Sequence, residues 1–171
     1  MRRKELKTSD ELAFEIIDRA EYGVLSIFDD TYPYQVPLSV VRDGNLIYFH
    51  CALTGKKLDL IQKNNKVSMT FVSYTRVPDK YSNEDIRNLV KDGKSFSGKI
   101  FTTEFSSTII RGKALPCSID EKIKALKLLV EKYEPNHMEF FKIQLDRALK
   151  ATEVYKINIE EISGKLKRVK D

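Results

Sequence analysis

The sequence predicts a mainly β domain with flanking helices, an α+β fold built around an antiparallel barrel. Three observations carry this. Short runs rich in Val, Ile, Thr, Tyr and Phe recur between Asp, Gly, Asn and Pro turns, as in "GVLSIFD", "YQVPLSVVRDGNLIYFHCA" and "KVSMTFVSY". Strands do not alternate regularly with long helices, which argues against a doubly wound parallel sheet. Helical periodicity is confined to a few segments, and short, evenly sized strands favour a barrel with helices at its flanks.

The elements follow in order. Thr8-Ser9-Asp10-Glu11 opens a helix, with Thr8 and Glu11 at capping-box spacing. Leu12, Ile16, Ile17 and Ala20 give it an inner face, and Gly23 ends it. "GVLSIFD" is a strand and "DDTYP" a turn. "YQVPLSVVRDGNLIYFHCA" reads as two strands around an Asp43-Gly44 hairpin turn. Pro37 has no N–H for a sheet ladder, so it marks an edge or a bulge and leaves backbone free for a ligand. "GKKLDLIQKN" is a short helix with Leu58 and Ile61 inward. Ser82 and Asp85 cap a helical insert at about 79–94 that closes at Gly93. "KIFTTEFSSTIIRGKALPC" is one bent strand or two. Ser118 and Glu121 form a further capping box. Behind it Ile119, Ile123, Leu126, Val130 and Tyr133 space as a face that packs on the sheet. Pro135 stops that helix. Met138, Phe141, Leu145 and Ala148 repeat the pattern, and "TEVYKINIEEI" closes the fold as a strand. A basic tail occupies 165–171.

At 171 residues the chain is expected to be one domain, 1–171. No apolar run reaches the length of a membrane span, and no apolar stretch follows the charged start, so a cytoplasmic protein is expected. Two cysteines and two histidines, scattered along the chain, suggest neither a disulfide framework nor a zinc site. The formal charge is +5. The acids and bases are interleaved except at "RRK" and "KLKRVK", and no aromatic–basic stacking platform is visible, which disfavours nucleic acid. A basic surface also suits a small anionic ligand.

The turn Thr54-Gly55-Lys56-Lys57 follows a strand and starts a helix. Free N–H groups at a helix start attract anions, and the lysines add charge. The same residues also read as a solvated turn. The spacing is not that of a P-loop, and no G-x-G-x-x-G fingerprint is present. His50 and Cys51 are adjacent strand residues, so they point to opposite faces and form no dyad.

These residues carry a resemblance. "VPL" at 36–38, "YFHCALTGKK" at 48–57, "DLI" at 59–61 and "KNN" at 63–65 resemble, in that order, the flavin-binding split-barrel superfamily that includes pyridoxamine 5′-phosphate oxidase. The closest match is to its Nim-type, nitroimidazole-resistance-related branch. "FSSTIIRGKA" and "VYKINIEEISGK" resemble later strands of that family. The resemblance implies a six-stranded antiparallel split barrel of Greek-key type. It also implies a homodimer with FMN in the groove between subunits. Pro37, Leu38 and Ser39 would then face the isoalloxazine ring. His50, Ala52, Thr54, Lys56 and Lys57 would surround the ribityl phosphate, and Ser107 would contribute from the later strand. It implies an oxidoreductase acting on small aromatics such as 5-nitroimidazoles, with NAD(P)H as a donor and His50 as proton donor or substrate-orienting group. Phe105 stands where many relatives carry Tyr, which removes a hydrogen bond to phosphate or substrate. The segment 74–99 would cover the ring or join the dimer contact. The alternative reading is a non-catalytic flavin or haem binder, with His50 and His137 as the available axial ligands.

Overall fold

The computed structural model describes residues 2–95 and 100–169. Its elements are α1 (Asp10–Arg19), β1 (Gly23–Ile27), β2 (Tyr34–Leu38), β3 (Val40–Asp43), β4 (Leu46–Cys51), α2 (Lys56–Lys63), β5 (Lys66–Arg76), α3 (Asn83–Lys91), β6 (Glu104–Pro116), α4 (Ile119–Tyr133), α5 (Phe141–Ala151) and β7 (Glu153–Lys167). A short 3-10 turn, Pro135–Phe140, links the last two helices.

The strands form one antiparallel sheet in the order β2-β1-β5-β6-β7-β4-β3. The expectation of six strands is corrected to seven among the described residues. By its sequence the run 34–43 is one strand. Ser39 breaks it, because β2 pairs with β1 whereas β3 pairs with β4. The two edge strands are thus consecutive in the chain. In a flat sheet the edges of seven strands would lie about 29 Å apart, at ~4.8 Å per strand. One residue spans only about 3.5 Å. The sheet must therefore curl until its edges meet, and the hydrogen-bonded circle stays open at one seam, which the chain crosses at Ser39. Within the sheet, β4 lies beside β7 while β7, β6 and β5 run consecutively, which is the Greek-key order. Pro37 lies on the edge strand β2, where its missing N–H costs no ladder bond.

The barrel interior is filled by strand residues such as Leu25, Phe49, Met69, Phe71, Ile110 and Ile157, all fully buried. A second, smaller apolar cluster lies outside the barrel. There Val41, Tyr48 and Val154 meet Ala125, Leu126 and Leu129 of α4. The period-two alternation of β4 sends Ile47, Phe49 and Cys51 inward and Tyr48 outward, under α4.

The seam poses a hydrogen-bonding problem, and the end of α4 solves it. Val40 is completely buried, and beyond the barrel's open edge no further strand takes its N–H and C=O. The Val40 N–H donates to Tyr133 Oη (3.0 Å), and the Tyr133 hydroxyl lies 2.8 Å from the Glu21 carbonyl, to which it donates. Lys132 Nζ donates to the carbonyls of Ala20 (3.0 Å) and Val40 (3.1 Å). Two adjacent side chains thus tie the open edge to the exit of α1.

Other boundaries differ from expectation for local reasons. Ser9, not Thr8, caps α1, accepting from the Leu12 N–H at 3.3 Å. The Thr8 hydroxyl is instead buried without a hydrogen-bond partner among the described residues, packed where a Cβ on Gly164 would come within 2.1 Å of it. α1 ends at Arg19, and Gly23 opens β1. The hairpin turn is Gly44-Asn45, since Asp43 pairs with Leu46. The capped helices at Ser82 and Ser118 form as expected, each with a complete capping box. The inner face of α4 is rotated from the expected one: Lys122, Ala125, Leu126 and Leu129 are buried, while Ile119 is 59% exposed. Lys122 is tolerated there because its amine donates to the Leu149 carbonyl near the end of α5 (3.0 Å). The long run before Pro116 is a single strand with a bulge at Arg111–Gly112. Lys165 to Lys167 belong to β7 rather than to a tail. Residues 96–99 of the expected covering segment, and 170–171 of the tail, lie outside the described residues. No described helix is long and apolar enough to cross a membrane.

Candidate functional site

Two hollows lie on either side of the end of β4. The strand alternation that sends Tyr48 outward sends His50 out with it, and Cys51 inward. His50 opens into a cavity of about 320 Å³ between the seam and the helices α4 and α5. Ser39, at the break between β2 and β3, lines the same cavity. Its walls are largely apolar, from Leu126, Leu129 and Val130 of α4 and Phe141, Leu145 and Ala148 of α5. α5 lies loosely over the sheet, with none of its residues fully buried, and this leaves the space open.

The second hollow, of about 180 Å³, is lined by Tyr34, Cys51, Ala52, Thr54 and the first turn of α2. Gly55 precedes that helix at φ 134, a backbone conformation that side chains other than glycine's rarely adopt. It turns the chain so that α2 starts directly over the hollow. The first helical N–H groups have no intrahelical partner. Those of Lys56 and Lys57 have no acceptor among the described residues. Thr54 does not cap the helix and is exposed.

The two lysines differ. Lys56 Nζ is paired with Asp29 at 2.7 Å, and that hydrogen bond raises its pKa. Lys57 is half-buried, with its ammonium 5.6 Å above the Phe49 ring and no acid partner among the described residues. Burial pushes its pKa down. The imidazole of His50 is also shifted down, first by partial desolvation and then by the Lys57 charge. At neutral pH His50 is therefore a neutral hydrogen-bonding group rather than a cation. Cys51, on the barrel side, is shifted up by burial, as expected for an inert thiol.

The structure thus brings Ser39 and His50 to one cavity, and Ala52, Thr54, Lys56 and Lys57 to the other. It does not bring in the rest. Pro37 is exposed on the edge, and Leu38 packs against the barrel core. Ser107 lies on β6, paired with Val72 and Lys165, and lines neither hollow. His137 is exposed, with Nδ1 2.8 Å from a carboxylate oxygen of Glu134. Sequence reasoning missed Asp29, Tyr133 and the cavity walls. The helical periodicity of α4 and α5 did mark an inner face, but nothing in it distinguished close packing from an open space. Among the described residues no three His, Cys, Asp or Glu side chains group as a metal site.

Residues 9–166 match the family described as Pyridoxamine 5'-phosphate oxidase. The chain belongs to this family. No curated protein matches it by sequence. Several solved structures are similar to it. A candidate 5-nitroimidazole antibiotic resistance protein from Bacteroides thetaiotaomicron is 22% identical, covers 94% of this chain and 85% of its own, and has a TM-score of 0.69. The flavocytochrome Anf3 from Azotobacter vinelandii is 19% identical over 98% of this chain and 72% of its own, with a TM-score of 0.75. An FAD and heme binding protein from Mycobacterium smegmatis is 15% identical over 96% and 74%, with a TM-score of 0.67. At these identities the likeness shows a shared fold. The family and these neighbours agree with the split-barrel fold.

Proposed function

We propose that this family member binds FMN and acts as a flavin-dependent oxidoreductase on small nitroaromatic compounds of the 5-nitroimidazole kind, with NAD(P)H as electron donor. The observation that carries the reading is the pair of unlike hollows at the end of β4. One presents a half-buried ammonium and two helix-start N–H groups that, among the described residues, have no acid partner and no acceptor, a setting suited to a phosphate. The other is apolar and bears a neutral imidazole and a hydroxyl. The residues therefore fit a phosphate-bearing flavin. Lys57 and the N–H groups of Lys56 and Lys57 would hold the phosphate, and the free edge around Pro37 to Ser39 would offer backbone groups to the ring.

When bound, the flavin would supply electron transfer. Reduction of a nitro group to nitroso takes two electrons and two protons and releases water, the electrons coming from the nicotinamide donor. This chain's residues position and protect. His50, neutral at pH 7, orients a substrate oxygen through its ring N–H, and the walls of α4 and α5 exclude water.

Assembly as a homodimer with the flavin between subunits is part of the proposal. Its support is an apolar patch on the outer face of β5 and β6, where Val72 and Ile109 are 50% and 47% exposed and Ser107 lies opposite Val72, between Ile109 and Phe105 along β6. A second copy against this patch would give Ser107, remote from both hollows in its own chain, a route to the partner's cofactor.

A haem reading has its own support in the two neighbours described as flavocytochrome and heme binding protein, and in the imidazole of His50 on an apolar cavity. The deciding experiment is an absorption spectrum of purified protein before and after FMN addition and desalting, with mass analysis of any released cofactor. Flavin bands with an FMN mass support the proposal, and an FAD mass changes the cofactor. A Soret band moves the answer to haem, and no retained chromophore defeats both. With flavin retained, His50→Gln is expected to lower nitro-compound turnover. Unchanged turnover would remove His50 from the reaction.

A further inference from the structure

A buried carboxylate lies at the end of the barrel away from both hollows. Glu104 opens β6 and is only 7% exposed. A bulge brings Tyr74 to it. The alternation that buries Val67, Met69 and Phe71 would send Tyr74 outward, but the register shifts at Ser73. That one extra residue turns Tyr74 to the face of Ser106 and Glu104. Tyr74 Oη donates to Glu104 Oε2 (2.9 Å), and the Val169 N–H donates to Glu104 Oε1 (2.8 Å). The Arg168 guanidinium lies 3.6 Å from the centroid of the Tyr74 ring, and Val169 is buried. The Val169 N–H, and then the Tyr74 hydroxyl, hold the Glu104 pKa below its ordinary value. Arg168 and Val169 thus continue β7 as a strap, and the ionised Glu104 is its clasp.

The strap reaches the chain on both sides of α3. Lys80 Nζ donates to the Val169 carbonyl (3.3 Å), and Lys167 Nζ meets the Thr102 hydroxyl. α3 needs such support. It has nine residues and none of them is buried. An isolated helix shorter than about 12–15 residues is marginal in water. Ile86, Leu89 and Val90 share one face, but Val90 is 56% exposed. The capping box at Ser82 satisfies the first turn and cannot replace a core. The helix therefore stands because the chain at its two ends is held. Clasp and helix are remote from the hollows. β7 starts opposite Cys51 and ends opposite Phe105, with roughly 45 Å of strand between.

We propose that the strap and α3 open and close as one unit, with Glu104 as its clasp, so that release of the C-terminal residues unfolds α3 while the barrel stays folded. Cleavage after Lys167 or Arg168 is one event that works the device. The hollows at the other end of the barrel keep their shape in both states.

The test is hydrogen exchange on the purified full chain and on a chain ending at Lys167. Amides of residues 83–91 are expected to exchange at least roughly tenfold faster in the shortened chain, with β4 and the centre of β6 unchanged. Coupling must run both ways. Leu89→Pro breaks α3 from within and leaves the strap intact. It is expected to speed exchange of the Val169 amide, read by NMR, by a similar factor. Glu104→Gln keeps the shape of the clasp but removes the charge that strengthens its bonds, and should accelerate both sets of amides to a smaller extent. Unchanged exchange of 83–91 in the shortened chain, or of Val169 in Leu89→Pro, overturns the coupling. Equal acceleration in every segment overturns it too, since the loss would then be global. Protein that retains no flavin but shows both responses keeps this unit and ends only the proposed function.

Discussion

Replacing Tyr133 with Phe probes the seam directly. The ring stays, so packing against the outer cluster is unchanged and no cavity forms. What is lost is one oxygen that accepts from the Val40 N–H at 3.0 Å and donates to the Glu21 carbonyl at 2.8 Å. Val40 has no exposure to water. Its N–H is on the side of β3 away from β4, where no strand replaces the phenol. A buried donor left unpaired costs about 1–3 kcal/mol. Glu21 is exposed and its carbonyl can turn to water, so it adds little. The expected destabilisation is thus about 2 kcal/mol. For a domain of this length that lowers the melting temperature by about 4–8 °C. Urea unfolding should show the same loss at an unchanged slope, because the surface exposed on unfolding is the same. Combining Tyr133→Phe with Lys132→Met should cost less than the sum of the two, because both serve Val40. A melting temperature within about 1 °C of wild type would refute the argument that α4 closes the barrel's open edge by hydrogen bonding.

Three further outcomes follow from the geometry. A Cβ on Gly112 would lie 1.9 Å from the Asn158 carbonyl oxygen at the β6–β7 bulge. Backbone must move there, so Gly112→Ala should destabilise by about 3 kcal/mol or more in urea unfolding; a loss under about 1 kcal/mol would show that the bulge yields freely. Lys57→Met should weaken FMN binding by roughly 10–100-fold in a fluorescence titration, the worth of one charge-assisted bond. Lys56→Met should weaken it by at most about fivefold, since Asp29 already satisfies Lys56, and the reverse order would move the phosphate off Lys57. The His50 pKa lies below the ordinary 6.5 in the folded chain. The unfolded chain therefore takes up the proton first. Folding stability should be flat above about pH 6.5 and fall as pH drops through the folded value. Lys57 acts on this imidazole and Glu134 lines the same cavity, and His50→Gln should remove the acid loss if His50 is its source.

Much of the site was legible because it depends on local chain chemistry. The Gly55-Lys56-Lys57 start of α2 follows from a strand, a glycine and a helical pattern, and His50 pointing away from Cys51 follows from strand alternation alone. Both capping boxes, at Ser82 and Ser118, are also local, and both formed. Ser9 in place of Thr8 is a tertiary choice: Thr8 packs against Gly164, which is distant in sequence.

The sequence by itself determined where helices and strands alternate, apart from the split within 34–43, the antiparallel class and the two chemically distinct segments at Pro37 to Ser39 and His50 to Lys57, since these rest on periodicity, turn residues and side-chain type. Only the tertiary structure decided that Ser39 splits one apparent strand across a seam, because pairing partners are set by strands far along the chain. It also decided that Lys132 and Tyr133 serve that seam, that Asp29 occupies one of the two lysines, and that α4 and α5 leave a cavity beside His50. Each depends on where side chains from distant segments meet, and helical or strand periodicity is blind to that distance.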